Sequence, residues 1–230
     1  LTLCFKIEQN KNIVSIVEII NRRDVGTLAS FTLQARDELC LAEPVRLSKG
    51  RVHEVTGDSA DMFAVLTASR LSGPIIWIGL SRDIGSLAPT ALQDFIDPAR
   101  VILTEGISRS EVLWAAEQAL RARCAQCVVI ELSNGPNLRE SRRLQIAAEE
   151  GGGIGLVLIH GRAHTSACET RWHCSASNTG ENAWAWSLTK NRKGELGAWD
   201  VSWAKAQTNS QTSGGAYEAG VIHLAAAVAV

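Results

Sequence analysis

The sequence predicts an α/β fold: a mostly parallel sheet flanked by helices, ending in an antiparallel β-meander. Three observations predict it. From Gly50 to His160, apolar runs of strand length alternate with segments of helical period. Those runs are apolar on both faces, as strands covered by helices on both sides must be. Beyond His160 the period changes to two, with Asn- and Gly-containing turns that suit hairpins and not helices.

The elements follow in order. "RVHEVT" is the first strand, and residues 59–71 form a helix with Met62, Phe63, Leu66 and Leu71 near one face. "GPIIWIGL", bounded by Gly73-Pro74 and Ser81, and "RVILTE" are the next strands. "SRSEVLWAAEQALRAR" opens with Ser108 and Glu111 at capping-box spacing and aligns Val112, Leu113, Ala116, Ala119 and Leu120 in one stripe. "CVVIEL" is a buried strand, and "LRESRRLQIAAEE" is a helix stopped by Gly151-Gly152-Gly153. "IGLVLIH" closes the series, and parallel pairing follows because each crossover needs a helix to bridge it. The meander is "TRWHCSAS", "AWAWSLTKNRKG" and "GAWDVSW", with turns at Asn178-Thr179-Gly180 and Lys193-Gly194. The expected division is an N-terminal extension over 1–49, partly helical, a core domain over 50–206, and a Ser/Thr/Gly/Ala-rich tail over 207–230. That tail reads as a poorly anchored or partner-docking segment.

Composition removes several function classes. Twenty-three Lys and Arg against 24 Asp and Glu leave no general basic field for nucleic acid. No run of about eighteen apolar residues is present, and no cleavage site follows the N-terminal apolar patches, so a cytoplasmic protein without a membrane segment is expected. Six cysteines suit a reducing compartment. Cys124 and Cys127 are spaced for a redox pair or half a zinc site completed by Cys168, His173 or Cys174. The apolar run that Cys127 opens favours a core role.

The stretch "GRVHEVTGDSADMFAVLTASRL" has the strand, glycine and helix layout of a phosphate-binding loop. That loop, G-x-x-x-x-G-K-[ST], uses its second glycine to let backbone N–H groups surround phosphate, its lysine for charge and its hydroxyl for magnesium. Counted from Gly57, those three positions carry Met62, Phe63 and Ala64. Losing a charge-assisted phosphate contact removes about 1.5–3 kcal/mol. The expectation is a vestigial loop with the Phe63 ring near the phosphate position, weak nucleotide affinity, no hydrolysis and no cofactor. An ordinary strand-to-helix turn at Gly57 is the alternative.

Other residue groups admit two readings each. Arg139, Arg142 and Arg143 at a helix start are a solvated face or a phosphate-backbone contact. His160, His164 and His173 stand in loops without a nucleophile elbow. Trp172, Trp184, Trp186, Trp199 and Trp203 crowd the meander, where core packing ranks first, a protein interface second and a base-stacking platform third.

The order and spacing of these pieces over about residues 50–204 resemble the ATPase core of RecA. "GRVHEVTG" resembles its entry, "IIWIGLSRDIGSLAP" its next strand and turn, "AQCVVIELSNGP" its magnesium-facing strand and "AWSLTKNRKGELGAWDVSW" its closing meander. Within that group, Ser141-Arg142-Arg143-Leu144, then Thr170-Arg171-Trp172, then Trp186, Leu188, Asn191, Arg192, Gly194, Gly197, Trp199, Val201 and Trp203 resemble the ImuA family of bacterial damage-induced mutagenesis cassettes. The resemblance implies a RecA-like fold and a non-catalytic accessory role in SOS-induced, error-prone translesion DNA synthesis. It implies as partners an ImuB-like, Y-family-like protein and a DnaE-type polymerase, with RecA a further candidate and direct DNA contact left open. Arg139, Arg142, Arg143, Arg171, Trp172, Arg192, Trp199 and Trp203 are the candidate contacts. A nucleotide-binding RecA-like ATPase and a SulA-type cell-division inhibitor are the alternatives. The sequence departs from RecA in placing Glu131 where the magnesium-facing aspartate stands and Ser81 at the general-base position, with Asp83 two residues on. "SNGPNLRE" and "RAHTSACE", at the DNA-gripping loops of RecA, are short.

Overall fold

The computed structural model describes residues 3–6, 38–82, 84, 88–205 and 220–226; Asp83 lies outside them. A ten-stranded sheet runs through the molecule. Its strands are β1 (Leu3–Lys6), β4 (Arg51–Thr56), β5 (Ile75–Leu80), β6 (Val101–Gly106), β7 (Cys127–Leu132), β8 (Ile154–Ile159), β9 (Thr170–Ala176), β10 (Ala183–Asn191), β11 (Gly197–Ala204) and β12 (Val221–Ala226). Between β1 and β4 a separate hairpin pairs β2 (Glu38–Ala42) with β3 (Val45–Ser48). The order across the large sheet is β1-β6-β5-β7-β8-β4-β9-β10-β11-β12. Every pair from β1 to β9 is parallel, and the last four strands pair antiparallel. This is the expected α/β arrangement, a mostly parallel sheet with a C-terminal antiparallel meander.

The helices are α1 (Ala60–Ser69), α2 (Pro89–Leu92), α3 (Arg109–Arg121) and α4 (Leu138–Gly151). Alternation along each strand sorts the core into two layers. On β7, Cys127 and Val129 face α1 and the meander tryptophans, while Val128, Ile130 and Leu132 face α3 and α4. Ser108 caps α3 by accepting from the Glu111 N–H, as its spacing predicts, while the Glu111 carboxylate reaches one residue past the cap and accepts from the Ile107 N–H. The box at α4 is built by Asn137 and Glu140, which the sequence reading did not single out. Gly152 ends α4 in the left-handed region at φ 80°.

Three features add to the expected layout. β9, read as the first meander strand, also pairs in parallel with β4, so it joins the two halves of the sheet. In the hairpin at 38–48, Leu39, Leu41, Val45 and Leu47 enter the same core as α1 and the tryptophans. The helical expectation for the rest of 1–49 falls on residues outside those described, apart from β1. Part of the tail is also anchored: β12 pairs with β11 from Trp199–Ala226 to Ala204–Val221, and Ile222 is buried.

Candidate functional site

Open α/β sheets bind ligands at the C-terminal ends of their parallel strands, and this chain gathers Gly57, Asp58, Asp61, Glu131 and His160 there. Only Gly57, Asp58 and Ser59 separate the end of β4 at Thr56 from the start of α1 at Ala60. That turn is closed on itself and on β9. The Ser59 N–H donates to the Cys174 carbonyl at 3.2 Å, the Ala60 N–H to the Gly57 carbonyl at 3.3 Å, and the Asp58 carboxylate accepts from the Ala176 N–H at 3.1 Å. Thr56 donates its hydroxyl to the Trp172 carbonyl at 3.0 Å. Gly57 is required here by its φ of 101° and by β9, since a Cβ would lie 1.9 Å from the Cys174 oxygen.

The position expected for Phe63 is therefore corrected. Met62, Phe63 and Ala64 lie inside α1 and form no loop, because the helix begins at Ala60. Phe63 turns away from the turn into the core, its ring 4.7 Å from Trp186 and 5.3 Å from Trp172. A helix N-terminus favours an anion. Here the chain brings its own, with Asp58 in the turn and Asp61 in the first helical turn.

Beneath the turn, Glu131 is buried at the end of β7. Its carboxylate accepts from the Trp77 indole N–H, and its other oxygen lies 3.4 Å from His160 Nε2. Asp61 faces this group. Burial first, and then the Glu131 charge, push the Asp61 carboxyl above the usual carboxylate range, with His160 opposing. Asp61 Oδ1 is buried without a hydrogen bond. The mouth is thus acidic where a polyphosphate would need cations. Among the described residues no group of three or more His, Cys, Asp or Glu side chains is arranged to hold a metal. Ser81 donates to Glu105 at 2.9 Å.

The other predicted residues separate into committed and exposed ones. Arg171 is bound inward, 2.8 Å from the fully buried Glu54 carboxylate and also donating to the His164 carbonyl. Trp172, Trp184, Trp186 and Trp203 are core residues, and Trp199 packs 5.7 Å from Trp172, so core packing, first among the three readings, is what the structure has. Arg192 is exposed and donates to the Ala167 carbonyl at 3.0 Å. Arg143 pairs with Glu117 at 2.9 Å, while Arg139 and Arg142 are exposed on α4. The segments "SNGPNLRE" and "RAHTSACE" are tied together by Gly135 N–H to Arg162 carbonyl at 2.9 Å and Arg162 N–H to Asn134 Oδ1 at 3.1 Å. Cys127 is a core residue whose thiol burial pushes up to about 12.

Sequence reasoning missed the buried histidine of β4. His53 Nε2 is 3.0 Å from the Ser48 carbonyl, which accepts only, so the proton is on Nε2 and Nδ1 accepts from Thr170 at 2.7 Å. Thr170 in turn accepts from the Trp172 indole at 3.0 Å. Burial pushes His53 down to about 4. An uncharged histidine inside "RVHEVT" has no signal in periodicity.

No family model matches the chain. Among solved structures, a crystal structure of the RadB recombinase is similar at 14% identity and TM-score 0.48, covering 66% of this chain and 87% of that one. "Protein ImuA" of Caulobacter vibrioides, from strain NA1000 / CB15N, is 29% identical over 185 residues, covering 66% of this chain and 75% of the relative. The protein of that name from strain ATCC 19089 / CIP 103742 / CB 15 matches to the same extent. With the residue pattern from Ser141 to Trp203, these matches support assigning the chain to the ImuA family.

Proposed function

We propose that this chain is a non-catalytic, RecA-like accessory protein of SOS-induced, error-prone translesion DNA synthesis. It acts through protein contacts with an ImuB-like, Y-family-like protein and a DnaE-type polymerase. The observation that carries the reading is the turn of Gly57, Asp58 and Ser59, which is bonded to β9, begins its helix at Ala60 and is followed by acidic groups. A phosphate loop needs several free N–H groups and a lysine. Here the Ser59 and Ala60 N–H groups are already bonded, and Asp58, Asp61 and Glu131 repel a triphosphate. The likeness to Protein ImuA supports the accessory role.

Deletion of the gene, complemented by the wild-type chain or by variants, tests the reading through damage-induced mutation frequency and co-purification of the two partners. Restored mutagenesis with partner capture is expected. Cell filamentation on overexpression without any effect on mutagenesis would favour a division inhibitor instead. ATP turnover that disappears in Glu131→Gln would return the chain to the ATPases. Among the described residues no helix is long and apolar enough to cross a membrane.

A further inference from the structure

We infer that the outer face of α4 is a docking surface for an acidic, amphipathic helical segment of a partner protein. The inference rests on the accessory reading above and assigns that reading a surface. Five large apolar residues are exposed among the described residues: Ile107, Leu138, Ile146, Leu196 and Val221. Three of them belong to one region. Leu138 and Ile146 lie on α4 at 59% and 46% exposure, and Ile107 precedes Ser108, the N-cap of α3. Arg109, two residues after Ile107, joins the two helix starts by donating to Glu140 at 2.9 Å and to the Asn134 and Gly135 carbonyls.

The spacing Leu138, Arg142, Ile146 places one side chain per turn along the exposed side of α4. The opposite side, Ser141, Leu144, Gln145, Ala147, Ala148 and Gly151, is buried. Lone exposed aliphatics need no explanation, but aliphatics repeated on one helix face with arginines between them do. The charges on this face are unbalanced. Glu140 is paired with Arg109, Glu149 with Arg51 at 3.2 Å and Glu150 with Arg121 at 2.8 Å. Arg139 and Arg142 form no ion pair among the described residues. The face therefore shows net positive charge around branched aliphatic side chains, which is complementary to leucines flanked by glutamate or aspartate on a helix. Nucleic acid fits it less well. Among the described residues no exposed aromatic is present to stack a base, and the carboxylates of Glu140, Glu149 and Glu150 border the arginines.

The test is a peptide array tiling the cassette's ImuB-like protein and DnaE-type polymerase, probed with the full chain as wild type and as Leu138→Asp, Ile146→Asp, Arg142→Glu and, as a control away from the face, Lys205→Glu. A labelled single-stranded oligonucleotide is titrated in parallel. The expected result is capture of acidic peptides with aliphatics at helical spacing, weakened about tenfold or more by each α4 substitution and unchanged by Lys205→Glu. The substituted side chains are exposed, and matching thermal melts establish that the variants fold. Empty arrays, capture of basic peptides, equal capture by the α4 variants, or tighter arginine-dependent binding of the oligonucleotide would each overturn the inference. Capture of the intact partners by the wild type is measured separately. Its loss counts against the accessory reading, whereas intact capture undiminished in the α4 variants counts against this surface alone.

Discussion

Phe63→Ala distinguishes a ring that blocks a nucleotide site from a ring that builds the core. The side chain is fully buried, with Trp186 edge-on at 4.7 Å and 60° and Trp172 tilted at 5.3 Å and 34°. Truncating a buried phenylalanine costs about 3–5 kcal/mol through lost transfer free energy and the cavity left behind. The two aromatic contacts fall within that figure at about 0.5–1.5 kcal/mol each, and place this site toward its upper part. Against a typical domain stability of about 5–15 kcal/mol, such a loss is readily measured. Urea unfolding followed by tryptophan fluorescence reads it directly, since Phe63 touches two of the indoles. Phe63→Leu, which keeps most of the volume, is expected to lose only about 1.5 kcal/mol. A loss for Phe63→Ala below about 1 kcal/mol, accompanied by new saturable ATP binding, would refute the assignment.

Three further outcomes follow from the buried polar groups. His53 is neutral in the fold with its pKa pushed down from 6.5 to about 4, so the unfolded chain binds its proton first. Its contribution is complete above pH 6.5 and falls by about 1 kcal/mol per pH unit as pH drops toward 4, visible as the difference between wild type and His53→Gln in urea midpoints. Arg171→Ala leaves the Glu54 carboxylate buried and uncompensated and is expected to cost about 3–5 kcal/mol, whereas the paired change Glu54→Leu with Arg171→Met recovers most of it. Asp61→Asn raises the thermal midpoint at pH 7. The folded pKa of Asp61 lies above its unfolded value, so the acid opposes folding at neutral pH and the advantage of the amide shrinks in acid.

Much of the frame was legible in the sequence because burial on both faces leaves an unmistakable pattern. "CVVIEL" forms β7 over the same residues, and the triple glycine ends α4 because Gly152 takes a left-handed φ that a β-carbon disfavours. The site was less legible for a reason of length. Counting from Gly57 by the phosphate-loop pattern puts the Phe63 ring near a phosphate position within the helix read over 59–71, but pairing of β9 beside β4 brings Cys174 against Gly57, and the ring packs on Trp172 and Trp186 in the core. Nothing local encodes that pairing. The same holds for Arg171, whose partner Glu54 is 117 residues away in sequence and turns a surface-type residue into a structural one. β12 was read as tail because a nearly uncharged "VIHLAA" has no alternation to mark it, and only its pairing with β11 makes it a strand.

We propose that the turn of Gly57, Asp58 and Ser59, bonded to β9 and followed by acidic groups, seats no triphosphate. Calorimetric titration of the purified chain with ATP and magnesium tests it most directly. No saturable binding up to about 1 mM is expected, beyond the range of functional nucleotide sites. Saturation at micromolar ATP, retained at physiological salt and abolished by Glu131→Gln, would contradict it.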